Sequence, residues 1–180
     1  MSIPAGTYRF GPDNGTLAVN TGRTGAVAKA GHDLLLHVTG WDGTLEIGAD
    51  AAPSRLEVRA DGGSLKVQEG TGGMQALDDD DKANIEQTID DEVLRRDQIT
   101  FRSTDVAANG DGLRVTGDLT LLGHTAPLVL DVAVNDGTLT AAGVVRQTDF
   151  GVKPYSALFG ALKVADEVRV EIDAAVPQSR

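Results

Sequence analysis

Residues 113–172 alternate apolar and polar side chains almost without interruption, and this feature restricts the possible folds of the chain most. Leu119 and Leu121 alternate with Asp118 and Thr120, and the same period of two recurs further along. Successive side chains of a β-strand point to opposite faces of a sheet, so each of these strands has one polar and one apolar face. The pattern predicts several antiparallel strands whose apolar faces share one interior.

The composition narrows the functional classes. A length of 180 residues suits one domain, and we expect residues 1–180 to form a single domain. Sixteen Lys and Arg against 27 Asp and Glu give a formal net charge of −11, which repels phosphate backbones and anionic membranes. The chain has no cysteine, so no disulfide or zinc-thiolate site can form. Because of the negative net charge, we expect no nucleic-acid partner.

The amino-terminal residues favour a cytoplasmic location. Residues 1–6 show neither the basic flank nor the apolar stretch of a secretory signal. Elsewhere no window approaches the ~18 consecutive apolar residues of a membrane-spanning helix. We expect a cytoplasmic protein that does not insert into a membrane.

Short strands separated by turns are expected along most of the chain. Clusters of Gly, Asn, Asp and Pro predict turns at residues 12–15, 40–43, 61–63, 109–112 and 135–137. Many short antiparallel strands of this kind favour a closed barrel or a sandwich.

Residues 77–96 break the alternation and predict one amphipathic helix. They contain no Gly or Pro, and Ile85, Ile89 and Val93 recur at every fourth position. Acidic residues crowd the start and two arginines close the segment, as the helix dipole favours. We expect this helix to cross one end of the barrel as a plug or lid, with its apolar stripe facing inward.

Two motifs in the carboxy-terminal half resemble those of the YceI-like family. Members of that family are lipocalin-like proteins that are named for binding polyisoprenoids. Residues 117–130 (GDLTLLGHTAPLVL) resemble the strand, turn and strand signature of that family. Residues 146–152 (RQTDFGV) and then 163–168 (KVADEV) resemble its closing elements in order and spacing. The opening departs from the family pattern, because residues 12–16 (PDNGT) stand where many members carry an Asp-x-x-His-Ser element.

This resemblance implies an all-β fold, an extended antiparallel lipocalin-like β-barrel of about eight strands around an apolar channel. The channel would hold a long isoprenoid or fatty-acyl chain, and homodimers are implied as well. One Trp, two Tyr and four Phe in the chain leave room for a slender ligand. The alternative is a filled lumen in a stress-related or protein-interaction domain without a small-molecule ligand.

Candidate ligand contacts come from the expected wall and from turns at the mouth. They are His32, Asp33, Trp41, Phe101, Leu119, Leu121, Leu130, Arg146, Phe150, Tyr155 and Phe159. Structural roles are open alternatives for several of them. His32 and Asp33 suit a turn, Arg146 suits an internal salt bridge with Asp149, and the loop aromatics suit a core cluster as well as a gate.

Catalysis and metal binding have little support in the sequence. There is no Gly-x-Ser-x-Gly elbow and no His-Glu-x-x-His helix. His32 and His37 are an odd number of residues apart, which places them on opposite faces of an unbroken strand. We expect no catalytic residue, no metal and no cofactor. The expected function is non-enzymatic carriage of a long apolar ligand.

Overall fold

The structure is a computed structural model that describes residues 4–24, 32–49, 54–71, 76–157 and 162–176. Most of these residues lie in antiparallel strands, as the alternation predicts. The strands are β1 (Gly6–Phe10), β2 (Gly15–Thr21), β3 (Arg23–Thr24), β4 (Asp33–Val38), β5 (Trp41–Ile47), β6 (Arg55–Asp61), β7 (Leu65–Thr71), β8 (Gln98–Asn109), β9 (Gly112–Leu121), β10 (His124–Asn135), β11 (Thr138–Arg146), β12 (Ser156–Ala157), β13 (Leu162–Val164) and β14 (Glu167–Ala175).

Within the described ranges, eleven strands form one sheet in the order β1-β5-β6-β8-β9-β10-β11-β14-β2-β4-β7, and β12, β13 and β3 form a small second sheet. The expected all-β antiparallel fold is confirmed. The expected count of about eight strands is wrong, because β1 and β5 widen the sheet beyond the strands that surround its interior.

Two short connections join the opposite edges of the large sheet and make it curl. β4 lies next to β7 near one edge and β5 next to β1 at the other, yet only Thr39 and Gly40 separate β4 from β5. Residues 62–64 join β6 to β7 in the same way. Because a chain spans at most ~3.6 Å per residue, the two edges must meet at this corner. Thr39 N donates to Ser64 O at 2.9 Å and Asp61 N to Gly40 O at 2.8 Å, which holds the corner together.

The turn predicted at residues 40–43 is wrong beyond Gly40, since Trp41 already begins β5. Trp41 is buried, and its ring centroid lies 6.0 Å from that of Phe10 on the neighbouring strand β1. A side chain at Gly43 would collide with the Phe10 ring, so glycine here admits an aromatic ring against the backbone. Aromatic packing across β1 and β5 therefore overrides the local preference for a turn.

The helix expected within residues 77–96 is confirmed as α1 (Asp79–Thr88) followed by a π-helical segment (Ile89–Val93). Asp78 caps it, because Asp81 N donates to Asp78 Oδ1 at 2.8 Å and Asp78 N donates to Asp81 Oδ2 at 3.1 Å. The helix packs beside β7, an edge strand for which the described residues provide no neighbouring strand on that side. It thus covers the open edge of a curled sheet, whereas the sequence predicts it at one end of a closed barrel.

Among the described residues, 26 buried apolar side chains form the core, which runs through the interior of the large sheet. In the part of the chain that the structure describes, no buried residue is polar or charged. No helix there combines the length and the apolar character that crossing a membrane requires.

Asp97 connects three separate segments just after the helix. Its carbonyl accepts from Gly62 N at 2.8 Å, and its carboxylate Oδ2 accepts from Leu122 N at 2.6 Å. Leu122 has a positive φ of 51° in the turn between β9 and β10, a conformation that this acceptor helps to stabilise.

We predict that Asp97→Ala lowers the free energy of unfolding by about 1–3 kcal/mol, because the half-buried Leu122 N–H loses a charged acceptor. Chemical denaturation followed by circular dichroism measures the change. Asp91→Ala, at an exposed position of the π-helical segment, is the control and should change the stability by less than ~0.5 kcal/mol. Equal effects of the two substitutions would contradict the assigned role of Asp97.

Candidate functional site

The curled sheet and the helix surround a cavity of about 560 Å³. This volume lies within the roughly 300–1,000 Å³ typical of small-molecule sites. The apolar side chains around it come from nine strands of the large sheet, from the small sheet and the segment that precedes β12, and from the helix with the residue after it. They are Leu17, Val19, Leu34, Leu36, Val38, Val58, Ala60, Leu65, Ile85, Ile89, Val93, Leu94, Ile99, Phe101, Leu119, Leu121, Leu128, Leu130, Ala141, Val145, Val152, Val164, Val168, Val170 and Ile172.

The space exists because inward positions carry mostly aliphatic and small side chains. On β11 the inward-facing residues are Ala141, Gly143 and Val145. Because Gly143 has no side chain, this strand contributes little volume to the wall at that position. An ideal Cβ at Gly143 would lie 2.7 Å from Leu130 Cδ2, so Leu130 already leans over the glycine. Protein interiors are normally filled to crystal-like density, which makes a void of this size an unusual feature for a domain to keep.

Five polar side chains line the cavity where β2 ends, and we call them the polar end: Thr21, Arg23, His32, Gln147 and Tyr155. The small sheet brings them together. β3 pairs with β13 through Arg23 and Val164, and Val164 N donates to Tyr155 O at 3.0 Å. The Gln147 side-chain amide donates to Ala165 O at 3.0 Å in the same region.

The polar end offers both donors and acceptors to a bound molecule. Thr21 Oγ1 accepts from Leu34 N at 3.2 Å, which leaves its own O–H to donate. Among the described residues, neither Gln147 Oε1 nor the Tyr155 hydroxyl has a hydrogen-bond partner, and Tyr155 is 45% exposed. Arg23 Nε donates to Asp33 Oδ1 at 3.1 Å, so a carboxylate balances the guanidinium charge.

Asp166 holds the 3-10 turn Gln147–Phe150, and thereby Gln147, against the start of β14. Its carboxylate accepts from Thr148 N at 2.8 Å and from Thr148 Oγ1 at 2.7 Å, and its carbonyl accepts from Gln147 N at 2.9 Å. The hydrogen bond from the Thr148 hydroxyl is the main cause that lowers the pKa of Asp166 below its ordinary value, and the charge of Arg146 adds to it.

Six of the candidate ligand contacts line the cavity. They are His32, Phe101, Leu119, Leu121, Leu130 and Tyr155. The alternation of apolar and polar residues in the sequence identifies those that lie on strands, because every second residue of a strand faces the interior. His37 lies in β4 between buried Leu36 and Val38, so it belongs to the opposite face from the cavity-lining His32, as the odd spacing predicts.

Four other candidates do not line the cavity. Asp33 pairs with Arg23, and Trp41 packs on Phe10 in the core beside β1. Arg146 is exposed and its Nη2 lies 3.3 Å from Glu167 Oε1, so the salt bridge forms with Glu167 and not with Asp149. Phe150 is only 2% exposed and belongs to the core. Phe159, the remaining candidate, lies outside the described residues.

Sequence reasoning missed Thr21, Arg23 and Gln147 at the polar end. The signal was present in part, because Thr21 and Arg23 continue the every-second-residue phase of Leu17 and Val19. Gln147 continues the phase of Ala141, Gly143 and Val145 one residue beyond the end of β11. Following each inward phase for one or two further alternate positions, two to four residues past its last apolar member, would have found all three.

Comparisons with known proteins agree with this geometry. Residues 13–176 match the family model of the YceI-like domain. No curated protein matches the chain. Among solved structures, Burkholderia cenocepacia BcnA superposes with a TM-score of 0.59 at 21% identity, over 88% of this chain and 94% of that one. The Campylobacter jejuni YCEI protein superposes with a TM-score of 0.55 at 16% identity, over 80% of this chain and 85% of that one. At such identities the likeness is one of fold.

We predict that Thr148→Val raises the pKa of Asp166 toward its ordinary value, because the principal hydrogen bond to the carboxylate is lost. The pKa of Asp166 is lower in the folded protein than in the unfolded one, so its contribution to stability is present above the unfolded pKa and disappears as the pH falls through the folded pKa. Carboxyl resonances followed by NMR across the acid range measure the shift. Thr140→Val, at an exposed strand position, should leave the titration of Asp166 unchanged, and an unchanged titration in Thr148→Val would refute the assignment.

Proposed function

The chain belongs to the YceI-like family, and on that premise we propose that it binds a long apolar ligand, a polyisoprenoid or a fatty-acyl chain, in the cavity without transforming it. The observation that carries the proposal is the volume of about 560 Å³ with a wall of aliphatic side chains from the sheet and the helix. A slender hydrocarbon is the kind of ligand that such a wall accepts without unpaired polar groups on either side.

The burial of hydrocarbon is sufficient for high affinity. Each buried CH₂ contributes ~0.8 kcal/mol, so about fifteen carbons contribute on the order of 12 kcal/mol before the cost of ordering the ligand. Affinity then needs no polar contact, and the polar end is free to set orientation and selectivity.

The polar end supports a ligand with a hydrogen-bonding head group. Thr21 offers a donor, Gln147 offers an acceptor, and the Tyr155 hydroxyl can act as either. Since Arg23 already shares its charge with Asp33, we infer that this end selects by hydrogen bonding more than by net charge.

The composition of the wall supports a non-enzymatic role. Among the described lining residues, hydroxyl groups occur at Thr21, Thr88 and Tyr155, and no hydrogen bond joins any of them to a His, Asp or Glu side chain. A nucleophilic mechanism requires such a base beside the hydroxyl. The alternative function, an interaction domain with a filled lumen, requires that the interior hold no continuous space, and the cavity favours the carrier over it.

The first test is extraction of the purified protein with organic solvent, followed by mass spectrometry of the extract. We expect a prenyl or acyl compound in stoichiometric amount, or uptake of one by protein that is initially empty. Protein that is consistently empty and takes up neither class would refute the proposal.

We predict that Ala141→Phe weakens the binding of such a ligand roughly thirtyfold, because the ring displaces two or three CH₂ groups worth about 2 kcal/mol. Ala142→Phe places the same ring on the same strand outside the cavity and is the matched control. Titration with a fluorescent fatty acid gives both affinities, and circular dichroism verifies that each variant folds. Val170→Phe serves as a second inward variant if Ala141→Phe does not fold. Equal affinities of inward and outward variants would place the ligand elsewhere.

We predict that Tyr155→Phe weakens the binding of a long-chain alcohol by about threefold to tenfold, the value of one hydrogen bond. The binding of the parent hydrocarbon should not change, because the ring remains in place. Since the Tyr155 hydroxyl has no hydrogen-bond partner among the described residues and the side chain is exposed, we expect the substitution to leave the fold intact. Isothermal titration with the two ligands separates the outcomes, and an equal loss for both would show that the hydroxyl does not contact the head group.

A further inference from the structure

The helix of residues 79–93 forms part of the cavity wall and is fastened to the sheet through Glu86. Glu86 Oε1 accepts from the backbone N of Val67 on β7 at 2.9 Å, and Oε2 lies 3.7 Å from Lys66 Nζ. Val67 N belongs to an edge strand, so it faces no neighbouring strand on that side among the described residues. Glu86 supplies the acceptor that a neighbouring strand would otherwise provide. One carboxylate therefore joins the helix to the last strand of the sheet.

The remaining attachment is an apolar stripe that is only partly buried. Ile85, Ile89, Val93 and Leu94 line the cavity, yet no residue of α1 or of the π-helical segment is buried. Many strand residues of the wall are, in contrast, at least nine-tenths buried. A wall element with few buried contacts opens at lower cost than the strands around it.

The acidic residues at the carboxyl end of the helix weaken it further. Asp79, Asp80 and Asp81 occupy its first turn and Asp90, Asp91 and Glu92 its π-helical end. Asp90 Oδ2 lies 3.5 Å from Arg96 Nε, whereas Asp91 and Glu92 have no ion pair among the described residues. Acidic residues suit the start of a helix but are unfavourable at its carboxyl end.

The chain beyond the helix is fixed to the sheet, and the junction is strained. Asp97 is held by Gly62 N and Leu122 N. Between Asp97 and the helix, Arg95 and Arg96 have φ angles of 52° and 56°, a left-handed conformation that arginine rarely adopts. Two strained residues between a loosely attached helix and a fixed anchor have the character of a hinge.

We propose that the helix is the gate through which the ligand enters and leaves, with Arg95 and Arg96 as its hinge and the Glu86 contact with Val67 as its latch. When the latch opens, the amino-terminal end of the helix swings away from β7 and exposes the cavity along its length. A long chain then enters sideways. This inference rests on the proposed function, because a gate is defined by the ligand that passes it.

The chain permits a reversible test, since it has no cysteine of its own. An ideal Cβ at Gly70 lies 3.1 Å from Leu77 Cγ, so Gly70→Cys with Leu77→Cys brings two thiols within reach of a disulfide. Leu77→Cys also removes Cδ1, which the new Cβ would otherwise meet at 2.5 Å. The disulfide pins the start of the helix to β7, and a reductant releases it.

We expect the oxidised double variant to exchange cis-parinaric acid, a fluorescent fatty acid, at least about tenfold more slowly than its reduced form. Stopped-flow displacement by an excess of unlabelled fatty acid measures the rate. Each single-cysteine variant should show no difference between oxidising and reducing conditions. An unchanged rate in the oxidised double variant overturns the gate, while equilibrium binding in the same samples reports on the proposed function separately.

The latch is tested without a disulfide by Glu86→Ala, which keeps the proposal testable if the double variant does not fold. We expect dissociation about tenfold faster, because a fully lost charged hydrogen bond shifts the opening equilibrium by about that factor. Glu86→Gln retains an acceptor for Val67 N and should lie between Glu86→Ala and the natural protein. Gln87→Ala, the exposed neighbour on the same helix, should leave the rate unchanged. Equal rates in Glu86→Ala and Gln87→Ala overturn the latch, and failure of every variant and of the natural protein to bind the probe overturns both the carrier and its gate.

Discussion

The fold depends on the corner where β4 passes into β5 and β6 into β7. Strands that lie close to opposite edges of the sheet are joined there, by two residues between β4 and β5 and by three between β6 and β7. Connections this short cannot span the width of a flat sheet, so the sheet must curl. Hydrogen bonds between residues 39–40 and 61–64 hold the two connections against each other. Because the edges are forced together at one place, the eleven strands curve around an interior, and the alternation of side chains then decides what that interior contains.

The curvature produces a cavity because the inward side chains do not fill it. Ala60, Ala141 and Gly143 carry little volume, and Phe101 is the single aromatic ring that the described strands contribute to the wall. The larger aromatics pack elsewhere, with Trp41 on Phe10 beside β1 and Phe150 in the core near β10. Different parts of one sheet therefore stabilise the fold and form the cavity. The aromatic pair Trp41 and Phe10 packs outside the cavity, whereas mostly aliphatic side chains line it.

The elements that sequence patterns identified are those governed by local periodicity. The alternation located the strands between residues 98 and 175, and the spacing of Ile85, Ile89 and Val93 identified both the helix and its inward face. Where distant contacts decide, the predictions were wrong. Residues 41–43 look like a turn but join a strand because Phe10 packs on Gly43. Asp149, three residues further along the chain, is the expected salt-bridge partner of Arg146, but β14 brings Glu167 directly opposite Arg146.

The sequence by itself determined the all-β class, the helix, the apolar character of the interior and the family, since each follows from side-chain period or from short motifs that are read along the chain. Only the tertiary structure decided the number of strands in the sheet, the place of the helix on its open edge and the composition of the polar end. Thr21, His32 and Gln147 are far apart in the chain and meet because β2, β4 and β11 are brought to one region by strand pairing and curvature. Such meetings depend on the closure of the whole sheet, which no local pattern encodes.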